Sequence, residues 1–200
     1  MIGNALMLWN LNYDKKIKLH THPDKIGCFL FCGKGQKYII SIDVSQNPTI
    51  IFSDWMSFRK ICQKKVLKKV SQSMNTKGIY IDRKKMIIFI ENFQDGINSR
   101  MILTEIKNDS LNVSHIETLK ELTDCLSIHY FDFKMNISLV TIERFCIKIW
   151  KIVQDRFFLE NRVHSKEEIS ETFLHSERNL LYFITSKNIL NVVNQEVNIL

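Results

Sequence analysis

Short apolar runs, most of them four to eight residues long and separated by polar stretches, organise this chain. Residues 26–31, 37–42, 49–52, 79–81, 86–90 and 101–106 form the first series; 128–133, 138–142, 146–151, 180–185 and 189–193 form the second. Ile, Val, Phe and Tyr dominate these runs, and β-branched and aromatic residues at that length predict strands. No stretch of helical length keeps a clean 3.6-residue apolar stripe. Residues 58–70 come nearest. They read either as a helix with Phe58, Ile61, Cys62 and Leu67 on one face or as a strand followed by a basic loop. The chain is expected to be mostly β.

A longer period lies above the strand pattern. The strongest run of each group centres in turn on Trp9, Phe52, Leu103, Trp150 and Val193, at intervals of 43, 51, 47 and 43 residues. A repeat of about 40–45 residues holding four strands is the signature of β-propeller blades. The expected fold class is therefore all-β, a partial or open β-propeller of about four blades. Residues 1–200 form one propeller region, with blades near 15–62, 63–112, 113–156 and 157–200. The strand at 5–11 is expected to come from a preceding or closing blade. An open arc of this kind exposes strand edges, so the ring is expected to be completed by more of the same protein, by another copy or by a partner.

From His20 the second group reads HTHPDKIGCFLFCGKGQKYIISIDVSQNPTIIFSDW. This stretch resembles a WD-repeat blade. His22 stands where the Gly-His dipeptide supplies its histidine, with Thr21 in place of the glycine. Phe31 matches the inward aromatic of the second strand, and Gly33 and Gly35 match the tight turn that follows. Phe52-Ser53 stands at the Trp-Asp position, and Trp9-Asn10 and Trp150-Lys151 are further near-matches that keep the aromatic and lose the acid. The Asn-Pro before the last strand is similar to blades of ciliary and microtubule-associated WD-repeat proteins. The resemblance implies a buried hydrogen-bond network around His22, with Asp24 or Asp43 as its acid; a surface turn histidine is the other reading of His22. It implies that Trp9 and Trp150 pack between blades, and that the chain is a non-catalytic protein–protein scaffold of the cytoplasm, cilium or cytoskeleton. Tubulin and axonemal proteins are the partners it suggests.

Composition narrows this picture. Six Gly and two Pro in 200 residues are about a third of the usual 12% share, which excludes collagen-like and low-complexity classes. Both prolines and three glycines (Gly27, Gly33, Gly35) fall in the WD-like stretch, so turns elsewhere are expected to use Asn, Asp, Ser and Lys. Lys+Arg 28 against Asp+Glu 21 gives a net charge of +7, which favours acidic partners. Five irregularly spaced cysteines suggest free thiols in a reducing compartment. No apolar run reaches the ~18–20 residues of a membrane span, and the first residues lack a signal-peptide pattern. Neither membrane insertion nor secretion is expected.

Catalytic motifs are scarce. Gly33-Lys34-Gly35 lacks phosphate-loop spacing, and no G-x-S-x-G, H-E-x-x-H or paired-carboxylate arrangement occurs. His20, His22, Cys28 and Cys32 form H-x-H-x5-C-x3-C, but one strand face does not converge four zinc ligands. No metal, cofactor or catalytic residue is therefore expected. The dense charge feature is Arg59, Lys60, Lys64, Lys65, Lys68 and Lys69. It reads as a solvated blade edge, as a contact for an acidic protein, or, in the alternative function, as the phosphate-binding face of a nucleic-acid-associated module.

Overall fold

In a computed structural model, which describes residues 3–10, 14–66, 73–93, 98–108, 110–133, 136–175 and 177–194, the apolar runs become strands. Among these residues the helical segments are two single 3-10 turns, Lys34–Gln36 and Asp82–Lys84. The chain divides into two compact units, Met1–Glu121 and Leu122–Leu200.

Unit 1 opens with an antiparallel ribbon of β1 (Ala5–Asn10) and β2 (Lys15–Thr21). Two four-stranded antiparallel meanders follow, each ordered as in sequence. The first holds β3 (Ile26–Cys32), β4 (Tyr38–Asp43), β5 (Thr49–Asp54) and β6 (Arg59–Lys65); the second holds β7 (Ser73–Ile81), β8 (Met86–Phe93), β9 (Ser99–Lys107) and β10 (Ser110–Leu119). Unit 2 contains a third such meander of β11 (Ser127–Phe133), β12 (Asn136–Ile142), β13 (Cys146–Val153) and β14 (Arg156–His164). A sheet of β15 (Ile169–His175), β16 (Leu180–Thr185) and β17 (Leu190–Asn194) completes it.

Burial explains which strands the hydrophobic pattern reveals. Every residue of β5 and of β8 is buried, so the apolar stretches 50–52 and 86–90 within them are unbroken. In unit 1, Ile40, Ile42, Ile50 and Phe52 of the first meander form one core with Ile87, Phe89 and Ile102 of the second. The first strands of the two meanders, β3 and β7, approach closely at Gly78, where an added Cβ would lie 2.9 Å from Leu30 Cδ1. The core of unit 2 gathers Phe131, Val140, Ile149, Val163, Leu181 and Phe183 from its two sheets.

The fourth strands, by contrast, are half wet. β14 alternates a few buried positions with exposed polar ones, and β6 is exposed at five of seven positions. Phe52, Leu103, Trp150 and Val193 all sit on third strands, and in each four-stranded sheet a polar fourth strand follows that the hydrophobic pattern does not mark. The sheets accordingly begin at Ile26, Ser73, Ser127 and Ile169, rather than at the positions 15, 63, 113 and 157 of the repeat units. Residues 59–65 form the strand of the two readings left open there.

Turns supply the left-handed conformations that glycine would otherwise provide. Asp14, Gln36, Phe58, Lys85, Asn108, Gln154, Asp155, Asn179 and Asn188 all have φ between 46° and 63°. Asn and Asp tolerate this region through local hydrogen bonds. Gly33 and Gly35 take it at φ 77° and 66° in the β3–β4 turn, and a side chain at Gly33 would also meet the Tyr38 ring at 2.6 Å.

Candidate functional site

Two polar constellations stand out in unit 1, one buried and one exposed. The buried one ties the ribbon to the first meander. His22, at the end of the ribbon, places Nε2 2.7 Å from Ser41 Oγ and Nδ1 3.4 Å from Asp43 Oδ2. His20 places Nε2 2.8 Å from the same Ser41 Oγ and Nδ1 3.0 Å from Ser53 Oγ. Of the two acids open at the sequence level, the network therefore uses Asp43. Its other oxygen, Oδ1, accepts from Ser45 N–H, Ser45 Oγ–H and Thr49 N–H. Burial pushes the Asp43 carboxyl up, but the hydrogen bonds from His22, Ser45 and Thr49 outweigh it and hold the pKa below the usual value.

With both imidazoles neutral, one placement of protons satisfies the chain. Asp43, a carboxylate, can only accept, so His22 donates from Nδ1 and accepts the Ser41 hydroxyl at Nε2. Ser41 then accepts from His20 Nε2–H, and His20 Nδ1 accepts from Ser53. Ser41, His22 and Asp43 have the connectivity of a nucleophile–base–acid triad, yet all three are buried, at 0%, 2% and 0% exposure. No path for a substrate to Ser41 is visible in that burial, and the hydroxyl is already shared by two rings. The arrangement fastens β2 to β4 and β5.

Burial, then His22, then Lys60 lower the His20 pKa from 6.5 to about 4. The unfolded chain thus takes up a proton near pH 6.5 that the folded chain resists until about pH 4. Stability carried by neutral His20 is complete above pH 6.5 and is lost as pH falls through that window, on the order of 3 kcal/mol in all. Glu91, described below, has a raised pKa and acts in the opposite direction. The His20 contribution is therefore read as the difference between the protein and His20→Asn. The variant is expected to show a flatter loss of hydrogen-exchange protection at β2 and β4 between pH 7 and pH 4. Parallel profiles would refute the assignment.

Acids recur near the end of each second strand in the three meanders. Asp43 closes β4. Glu91 on β8 is fully buried beside Arg100 on β9, whose Nε and Nη2 both bond Glu91 Oε2. Burial raises the Glu91 pKa to about 7; Arg100 pulls it down and Asp43 adds to the rise. Glu143, just after β12, accepts Thr123 N–H at 2.9 Å and Lys148 Nζ at 2.6 Å. Positions 43, 91 and 143 are 48 and 52 residues apart, so their recurrence follows the second strands of the meanders rather than a fixed sequence period. In unit 2, His129 Nε2 and Ser127 Oγ each lie 3.0 Å from Thr172 Oγ1, a comparable tie between β11 and β15. Burial lowers the His129 pKa.

The remaining expected positions divide. Phe52 is buried and packs against Tyr38 with ring centres 5.0 Å apart. Trp150 is buried, and its indole N–H donates to Thr141 Oγ1 at 2.9 Å. Trp9 is not packed between blades. It is 57% exposed, with its indole N–H on Asp14 and Lys16 Nζ 5.2 Å from its ring centre. Among the described residues its sheet holds two strands, β1 and β2. Phe31 is not inward either. On β3 the core-facing parity is Cys28, Leu30 and Cys32, and Phe31 shares the exposed parity with Phe29. It meets the Trp55 ring edge-on at 6.2 Å.

Cys28 and Cys32 face the core rather than the two histidines. Burial pushes their thiols up to about 11 and about 12, against a lowering influence of Lys77 on the first and with a further rise from Asp82 on the second. Among the described residues no three His, Cys, Asp or Glu side chains converge as metal ligands.

The exposed constellation is β6. Arg59, Lys60, Lys64 and Lys65 project from one seven-residue strand with no acidic residue in it, and none of the four forms an ion pair among the described residues. Lys68 and Lys69 lie outside the described residues. Ile61 and Cys62 pack this strand onto the core. Beside its C-terminal end a pocket of about 480 Å³ is lined by Lys65, Gln63, Thr49, the 45–47 loop and Pro23.

No protein-family model and no curated protein matches the chain. Among solved structures, the β-propeller domain of Cps50 (Swd1) from Myceliophteria thermophila is similar. It is 12% identical, with a TM-score of 0.63 over 93% of this chain and 62% of that one. The likeness shows the fold: this chain is all-β, a partial or open β-propeller. It spans 62% of the length of the propeller domain it matches.

Proposed function

We propose that the chain is a non-catalytic protein-interaction scaffold that binds acidic protein segments on β6. The propeller fold supports the scaffold reading. The observation that carries the acidic partner is the set of four exposed, unpaired cations on one strand. None of the four is held in an ion pair among the described residues, so a carboxylate-rich segment gains attraction without first breaking one. Acidic tails of the tubulin kind belong to the chemistry that would fit, which leaves the cytoskeletal reading as one form of this proposal.

The test is anisotropy of a labelled glutamate-rich peptide at low salt. Saturable binding is expected, weakening as salt rises, and Lys64→Glu/Lys65→Glu is expected to weaken it by about tenfold or more. Duplex DNA serves as the competing ligand. DNA bound more tightly than the peptide, with the steep salt dependence of phosphate neutralisation, would replace the scaffold reading with the nucleic-acid one.

A further inference from the structure

We infer that β6 takes up its acidic partner by strand addition, the bound segment lying along the outer edge of the first meander as a fifth strand. This rests on the proposal that β6 binds acidic segments and specifies how. Among the described residues β6 pairs with β5 alone and ends its sheet, so alternate backbone N–H and C=O groups of Arg59–Lys65 point away from the ladder. Lysines on an edge strand ordinarily keep other strands away. In a chain of net charge +7 they repel further copies of this same edge. Toward a carboxylate-rich strand the same side chains reverse sign, because cross-strand neighbours of opposite charge attract.

The geometry adds a register. Side chains on β6 alternate, with Ile61 and Cys62 held against the core around the bulge in the β5–β6 pairing, so Lys64 and Lys65 are presented on a strand whose position is fixed. The pocket bounded by Gln63 and Lys65 opens at the end of that edge. An acidic side chain of the added strand entering it would meet Lys65, together with the amides of Gln63, Gln46 and Asn47. Main-chain bonds along the edge then give affinity, and the cations and the pocket select acidic sequence.

The experiment compares the glutamate-rich peptide with one of identical charge in which alternate backbone nitrogens are methylated. The chemical change is in the peptide, so the folding of the protein is not at issue. Strand addition predicts about tenfold weaker binding of the methylated peptide, since two or more main-chain bonds are lost. It also predicts slowed amide exchange within Arg59–Lys65 when the unmethylated peptide binds. Equal affinity of the two peptides, with no change in exchange on β6, would overturn strand addition and leave charge-driven binding standing. Failure of both peptides to bind would overturn the two proposals together.

Discussion

Arg100→Met is expected to destabilise unit 1 by about 3–5 kcal/mol, because it leaves Glu91 as a buried carboxylate without its cation. Both residues are fully buried, and Glu91 Oε1 has no hydrogen-bond partner that would keep the charge solvated. Asp43, which already acts to raise the Glu91 pKa, adds repulsion once the guanidinium is gone. The loss depends on pH. Without Arg100 the Glu91 pKa rises further, so the stability it retains is that of the protonated form and is lost as pH rises from about 5 to neutrality. Hydrogen exchange at β8 and β9 reads the change, and β12 and β13 serve as the internal control. The double variant Glu91→Leu/Arg100→Met is expected to recover most of the loss, since an apolar pair carries no desolvation penalty. A single variant as stable as the parent at pH 7 would show that the pair is not buried as described.

Trp150→Ala is expected to cost about 3–5 kcal/mol in unit 2, and Trp9→Ala about 0.5 kcal/mol or less in unit 1. The two tryptophans look alike in the sequence, each preceded by short apolar runs and followed by a polar residue. Trp150 is 2% exposed and bonded to Thr141, whereas Trp9 is 57% exposed and bonded to Asp14 in its own hairpin. Trp150→Phe isolates the hydrogen bond, with an expected loss of about 1–2 kcal/mol. Urea unfolding followed by exchange at β12 and β13 measures the first and third, and exchange at β1 and β2 the second. Equal losses at positions 9 and 150 would contradict the asymmetry.

That asymmetry shows where the sequence is a poor guide. The third strands β5 and β9 were legible because both faces of their central segments are covered, which gives the apolar stretches 50–52 and 101–103. The fourth strands β10 and β14 were not, because solvent on one face permits polar residues at nearly any position. His22 stood out by its place four residues ahead of the strand that begins at Ile26. His20 did not, since its partners Ser41 and Ser53 lie 21 and 33 residues away on strands whose register is set only when the sheet forms. The acids at 43, 91 and 143 lie at or near the ends of second strands at uneven spacing, and different partners hold each, so no common motif surrounds them.

The scarcity of glycine and proline belongs to the same account. Left-handed turn positions are filled by Asn, Asp, Gln and Lys, and hairpins form without the residues that usually announce them. By itself the sequence determined that this chain is a repeated β fold with a basic segment at 59–69, because apolar pattern and charge are written residue by residue. The tertiary structure alone decided which histidines, serines and acids meet, which tryptophan is packed, and that residues 59–65 form the last strand of their sheet. Those properties depend on pairing between strands distant in sequence, and a period-2 pattern specifies a strand's faces without specifying its neighbour.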